Sequence, residues 1–206
     1  MTPAVARALL ALAVLAGGLV SAAAPASLRE LSDEQRTRLR AREILVTDTM
    51  PPGASESARG GTALALVRAA PEQVWRVLTD YPGHPRYYPR VTATEVVERD
   101  ARRVVVRYQV GIGPFSFGFH MDKFPDERRR RIDWHLAEGR SHAFFRENSG
   151  YWQVDPAEAD SLVTYAIAVR TSLPAALTRS SERASLTDTM VALRTLVEGE
   201  AGAPSR

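Results

Sequence analysis

The chain has 206 residues with 27 Lys plus Arg against 24 Asp plus Glu, a length that suits one domain with short attachments. Its 45% apolar content suffices for one core, and 7% aromatic with 25% charged residues excludes an acidic disordered or low-complexity protein. The absence of cysteine excludes a disulfide scaffold, a zinc ribbon, a thiol nucleophile and an Fe–S protein, and the pI of 9.6 reflects 26 Arg and a single Lys around a net charge of only +3, which argues against a nucleic-acid partner.

Residues 1–26 carry one charge, Arg7, followed by the uncharged run Ala8–Val20 and the small residues Ser21–Ala26. That is the pattern of a secretory signal peptide. Pro25 disfavours cleavage directly after Ala24, leaving Ala23 or Ala26 as the last residue removed. A lipid-anchored lipoprotein is excluded, since that anchor needs a cysteine at the cleavage site. The uncharged stretch 8–28 is also long enough to cross a bilayer, although its Ala and Gly content weakens that signal. The expectation is a periplasmic or secreted protein, with membrane anchoring by an uncleaved N-terminal segment as the alternative.

Residues 27–60 hold a short helix, a strand and a connector. Ser32-Asp-Glu-Gln35 has the capping-box pattern and opens a surface helix through Arg42. Glu43–Thr49 reads as a strand, 50–57 as a turn-rich connector, and Gly61–Val67 as a second strand. Pro71 suits a first helical position, and Val74, Trp75, Val77, Leu78 and Tyr81 follow at helical spacing, so 71–81 is a buried helix. Pro82-Gly83-His84-Pro85 ends it, and Tyr87-Tyr88-Pro89 forms an aromatic elbow.

From Val91 the period changes to two. Val91–Glu98, Arg103–Val110, Phe115–Phe124, Arg131–Ala137, His142–Val154 and Leu162–Arg170 read as strands joined by short turns, which implies antiparallel neighbours. Pro174 opens a final helix to about Glu198, and 199–206 is a loose tail. A long antiparallel run needs cover for its inner face, and the last helix is the one element large enough, so the fold is α+β in two layers.

Phe115, Phe117, Phe119 and Met121 share one face of a strand, with Tyr108, Trp134 and Trp152 in phase with apolar neighbours on others; core is the plain reading. His84 falls in a turn and reads as solvated, while His120 and His135 alternate outward. No pair of histidines is spaced with a carboxylate for a metal site, no nucleophile elbow occurs, and no cofactor is implied. Ser149 reads as a turn or bulge residue, and Asp80 as a turn carboxylate. Arg128, Arg129, Arg130 and Arg131 read as an exposed hairpin turn, with transient contact to anionic membrane headgroups as the sharper alternative.

Ala70–Tyr81 resembles the opening helix of the START-like, helix-grip superfamily, which includes polyketide cyclases, lipid-transfer domains and coenzyme Q-binding proteins. Tyr87–Val91 is similar to its aromatic-Pro elbow, and Gly150–Val154 to the glycine-aromatic strand of its exported bacterial members. The resemblance covers residues 61–198. It implies a helix-grip domain, a curved antiparallel sheet around the C-terminal helix, with an apolar cavity between them. Tyr87, Tyr108, Phe117, Phe119, Met121, Trp134 and Trp152 are then expected to serve as ligand wall, with a ligand or water completing the hydrogen bonds of buried Tyr and Trp. The expected function is an exported binding or transport protein for a lipid, isoprenoid quinone or polyketide-like compound. A cyclase or aromatase on the same scaffold, and an interaction module with a filled core, remain the alternatives.

Overall fold

Alternation of apolar and polar residues from Val91 onward builds one continuous antiparallel meander. In the computed structural model, which describes residues 27–112, 114–173 and 182–202, it runs through β3 (Val91–Arg99), β4 (Val104–Ile112), β5 (Phe115–Asp126), β6 (Arg131–Leu136), β7 (Phe145–Ala157) and β8 (Asp160–Thr171). β2 (Arg59–Val67) returns to pair with β8, and β1 (Leu45–Thr47) pairs with β2, giving an eight-stranded curved sheet in the order β1-β2-β8-β7-β6-β5-β4-β3. The long β2–β8 pairing, from Arg59 opposite Val169 to Val67 opposite Ser161, links strands nearly a hundred residues apart.

Three α-helices among the described residues complete the domain. α1 (Asp33–Arg40) carries the expected capping box: Ser32 Oγ accepts from the Gln35 amide, and the Gln35 side chain accepts from the Ser32 amide. α2 (Pro71–Thr79) starts at the expected proline, buries Val74, Val77 and Leu78, and ends two residues short of the expected limit. A 3₁₀ segment, Tyr81–Arg86, takes over there, because Pro82 and Pro85 cannot continue an α-helix. α3 (Glu182–Ala201) crosses the inner face and buries Leu186, Met190, Leu193 and Val197 against β2. Its expected start at Pro174 lies outside the described residues, as do the leader 1–26 and the end of the tail. Among the described residues no helix is long and apolar enough to cross a membrane.

The sheet is covered on both sides at its β2–β8 end. Inward residues Ala63, Ala65 and Val67 join the main core under α3, whereas Leu64 and Leu66 face outward and are sealed by Leu31, Leu39 and Leu45 of the N-terminal segment, with Leu162 and Ala157. Arg42 holds the two layers together through paired hydrogen bonds to Glu198 (2.8 and 2.5 Å), while the Arg68 amide donates to the same carboxylate (2.8 Å). These guanidinium contacts keep the Glu198 carboxyl below its ordinary value despite its partial burial. α3 is thereby pinned across the sheet.

The arginine run behaves as a turn with engaged side chains. Arg128 and Arg129 are exposed, Arg129 and Asp126 form an ion pair at 3.6 Å, and Arg130 reaches Glu72 of α2. Arg131 pairs with Asp133 (2.7 Å) and stacks over Tyr151 at 3.7 Å. Asp80 pairs with Arg86 at 2.9 Å, and Arg86 also reaches Glu200 of α3 (2.7 Å), tying the elbow to the last helix. Gly83 makes room for this: a Cβ there would meet the Asp80 carboxylate and lie 2.7 Å from the Arg86 guanidinium.

Candidate functional site: an aromatic cavity with one buried lysine

Strand register decides which rings meet. Tyr108 of β4 lies opposite Phe119 of β5, and their rings stack with centroids 5.4 Å apart. Trp134 of β6 lies opposite Gly150 of β7, and Trp152 of β7 opposite Tyr165 of β8. Trp152 and Tyr165 stack at 4.1 Å with 14° between planes, and Trp134 lies 5.9 Å from the same tyrosine. Gly150 permits this ladder: a Cβ there would meet the Ala166 carbonyl and lie 2.7 Å from Trp134 Cζ2. The glycine in the Gly-Tyr-Trp stretch thus serves close packing of an indole on the sheet.

Between this wall and α3 lies a cavity of about 180 Å³. Tyr108, Phe119, Met121, Trp134, Phe145 and Tyr165 form its sheet side, Ser185 and Thr189 its helix side, and Tyr88, Pro89 and Arg90 come from the elbow, with Arg90 exposed. Of the seven residues expected as ligand wall, Tyr108, Phe119, Met121 and Trp134 line this space. Tyr87 and Trp152 lie in the core behind it, each only 1% exposed, and support Tyr88 and Tyr165. Phe117 is half-buried and packs edge-on against Phe144 at 5.1 Å, away from the cavity lining. Phe115, expected in the core, is 64% exposed because it follows the hairpin turn directly and projects past the packed part of the sheet.

The polar atoms of Tyr108, Trp134 and Trp152 find partners within the protein, whereas the buried Tyr81 and Tyr87 hydroxyls have none among the described residues. Trp152 Nε1 donates to Tyr88 Oη (2.8 Å) and Trp134 Nε1 to Asn148 Oδ1 (3.2 Å). Tyr108 Oη lies 2.8 Å from His84 Nδ1, while His84 Nε2 lies 3.0 Å from the Leu78 carbonyl. A carbonyl only accepts, so Nε2 carries the proton and Nδ1 accepts from Tyr108. Burial, helped by the Lys123 charge, pushes the His84 pKa down to about 3, so the ring is neutral and fully engaged. The expected solvated position of His84 is therefore wrong. The 3₁₀ turn folds the ring inward among Tyr81, Tyr87, Tyr88 and Tyr108, leaving it 1% exposed.

Sequence reasoning missed Lys123. It continues the inward face of β5 two residues past Met121, so the same alternation that placed Phe119 and Met121 places it inside. It is 2% exposed and lies opposite Trp134 in the sheet register. Its ammonium sits 4.2 Å from the Trp134 ring centroid and 5.5 Å from that of Tyr108, attracted by their negative π-faces. No carboxylate among the described residues pairs with it, and burial holds its pKa down to about 7. Within 27 basic residues, a lone lysine in phase with an aromatic strand face was the available signal.

A curved antiparallel sheet gripping a C-terminal helix, with an aromatic cavity between them, is the helix-grip arrangement. Residues 67–194 match the family described as polyketide cyclase / dehydrase and lipid transport, and the chain belongs to that family. Solved structures with the same fold include an aromatase/cyclase from Streptomyces sp. R1128 (20% identity, TM-score 0.57, covering 77% of this chain and 94% of that one). A STAR-related lipid transfer protein from Xanthomonas axonopodis (16%, TM-score 0.59, 75% and 92%) and a START superfamily protein from Mycobacterium smegmatis (17%, TM-score 0.56, 68% and 97%) are similar to a like degree. No functionally curated protein matches the chain.

Proposed function

We propose that the protein is an exported carrier that holds a hydrophobic small molecule, a lipid, isoprenoid quinone or polyketide-like ring compound, between the sheet and α3. The observation that carries this reading is the aromatic-walled cavity, whose lining is dominated by Tyr, Trp, Phe, Met, Val and Ile side chains. Concave, mostly apolar sites with a few polar groups are the usual form of small-molecule pockets. At about 180 Å³ the space accepts a body of roughly one or two rings, so a longer ligand would extend through the mouth beside Arg90.

Binding is favoured over cyclisation by the chemistry of the wall. An acid/base enzyme needs a proton donor and acceptor converging on substrate. The lining residues described include no carboxylate, both His84 nitrogens are engaged, and burial raises Tyr88 beyond the range where a phenol serves as base at neutral pH. That leaves Lys123, with its pKa of about 7, as a lone proton carrier without a second group among the described lining residues to work against. The open interior also speaks against a filled interaction module. Export rests on the leader alone: the mature N-terminus is expected between Ala24 and Ser27, and intact Met1 in a membrane pellet would overturn it.

The test is native mass spectrometry of the mature protein for a co-purifying ligand, combined with titration of the neutral apolar dye Nile red. Micromolar dye binding with quenching of tryptophan emission supports the carrier. Absence of both dye uptake and bound ligand overturns it.

A further inference from the structure

We propose that the cavity selects ligands carrying an anionic head group, a carboxylate or an enolate-like oxygen, which pairs with Lys123 while the apolar body lies along Tyr108, Phe119 and Trp134. This rests on the carrier reading and specifies its ligand class.

The argument begins with an imbalance of charge. Two cations line the cavity, Lys123 inside and Arg90 at the exposed rim, and no acidic residue described lines it. Elsewhere the described part of the protein pairs its arginines freely, with Glu198, Glu72, Asp133 and Asp80 as examples. Lys123 differs. Its surroundings are Trp134 from β6, Tyr108 from β4 and, around the same cavity, Tyr88, Tyr165, Asn148, Ser185 and Thr189. The titratable groups among these neighbours are tyrosines, with His84 behind Tyr108, and all are neutral at pH 7.

An ammonium taken out of water without a counter-ion is costly, and cation–π contacts offset only part of that cost. A leucine or methionine here would fill the space more favourably by packing alone. An anionic ligand oxygen removes the imbalance: it supplies the missing counter-charge inside a low-dielectric site, where a charge-assisted hydrogen bond is strong. Asn148, Ser185 and Thr189 add side-chain amide and hydroxyl groups to the same lining. Arg90 at the mouth has the sign that draws anions inward.

The matched probes 2-naphthoate and 2-naphthamide differ in head-group charge and share one ring body. Titration by tryptophan quenching at pH 6.5 is expected to show the carboxylate binding at least about tenfold more tightly to the wild type. Lys123→Met should abolish that preference while retaining naphthamide affinity. In the wild type the preference should also shrink as pH rises from 6.5 to 9.5, since the carboxylate stays ionised and the ammonium does not; this reading needs no variant. Equal affinities in the wild type, or a preference that survives Lys123→Met, overturn the proposal while leaving the carrier standing. If neither naphthalene probe nor Nile red binds, the carrier reading falls and this proposal with it.

Discussion

The outer face of the sheet at β2 and β8 and its inner face from β4 to β8 are buried by opposite chemistries. The outer face is aliphatic: Leu31, Leu39, Leu45, Leu64, Leu66 and Leu162 close on one another under α1. The inner face is aromatic and studded with polar atoms, holding tyrosines, two indoles, His84 and Lys123 around a space that is not filled. The outer cluster can only stabilise the fold. The inner one must also keep a shaped cavity open, which demands stiff rings anchored by hydrogen bonds, because aliphatic side chains would tend to collapse into the void. The contrast separates residues that carry stability from residues that carry both stability and recognition.

Five substitutions, one of them within a pH series, test that separation. Trp152→Ala should have the largest effect, about 3–5 kcal/mol in denaturant unfolding, because it deletes the stack on Tyr165 and the donor to Tyr88. It should also weaken Nile red binding, although Trp152 stands behind the wall, by releasing Tyr88 and Tyr165 into the cavity. Leu39→Ala, fully buried in the outer cluster, should cost about 3 kcal/mol and leave dye affinity of the folded protein within twofold. A parallel loss of affinity in Leu39→Ala would erase the distinction between the faces.

The pH series concerns the inner face alone. Lys123 titrates at about 7 when folded against 10.5 when free, and His84 at about 3 against 6.5. In both cases the unfolded chain binds the proton first as pH falls. Stability is therefore full above the free pKa and declines as pH drops towards the folded one. Lys123 governs the window from 10.5 to 7, and His84 the window from 6.5 to 3. Ligand-free protein should lose about 3 kcal/mol between pH 9 and pH 6 in urea unfolding, most of it from Lys123, and Lys123→Met should flatten most of that slope. An unchanged slope in the variant would show that burial does not depress the Lys123 pKa.

Smaller effects follow for single contacts. Tyr108→Phe leaves His84 Nδ1 without its donor and should cost about 1–2 kcal/mol with the fold intact. Arg129→Ala, in the exposed turn, should change thermal stability by less than about 0.5 kcal/mol and leave dye binding untouched.

Much of this architecture was legible in the chain because local rules and tertiary demands agree there. Pro71, the Ser32–Gln35 capping box and the alternation from Val91 each specify an element through backbone sterics or period, and the structure places those elements within a few residues of expectation. Period two sorts Tyr108, Phe119, Met121 and Trp134 onto an inward face, and the family resemblance is what makes that face the expected wall of a cavity, which they line. What stayed hidden depends on contacts between distant segments. Whether Trp152 touches the cavity or stands behind it is set by register with β8 and by the elbow that brings Tyr88 over it. The inward turn of His84 needs the Tyr108 hydroxyl from a strand 24 residues on. Lys123 could be assigned to the inner face by alternation, but its isolation from any acid among the described residues is a property of every neighbour at once. Periodicity along one strand decides where a side chain points; only the packed assembly decides what meets it there.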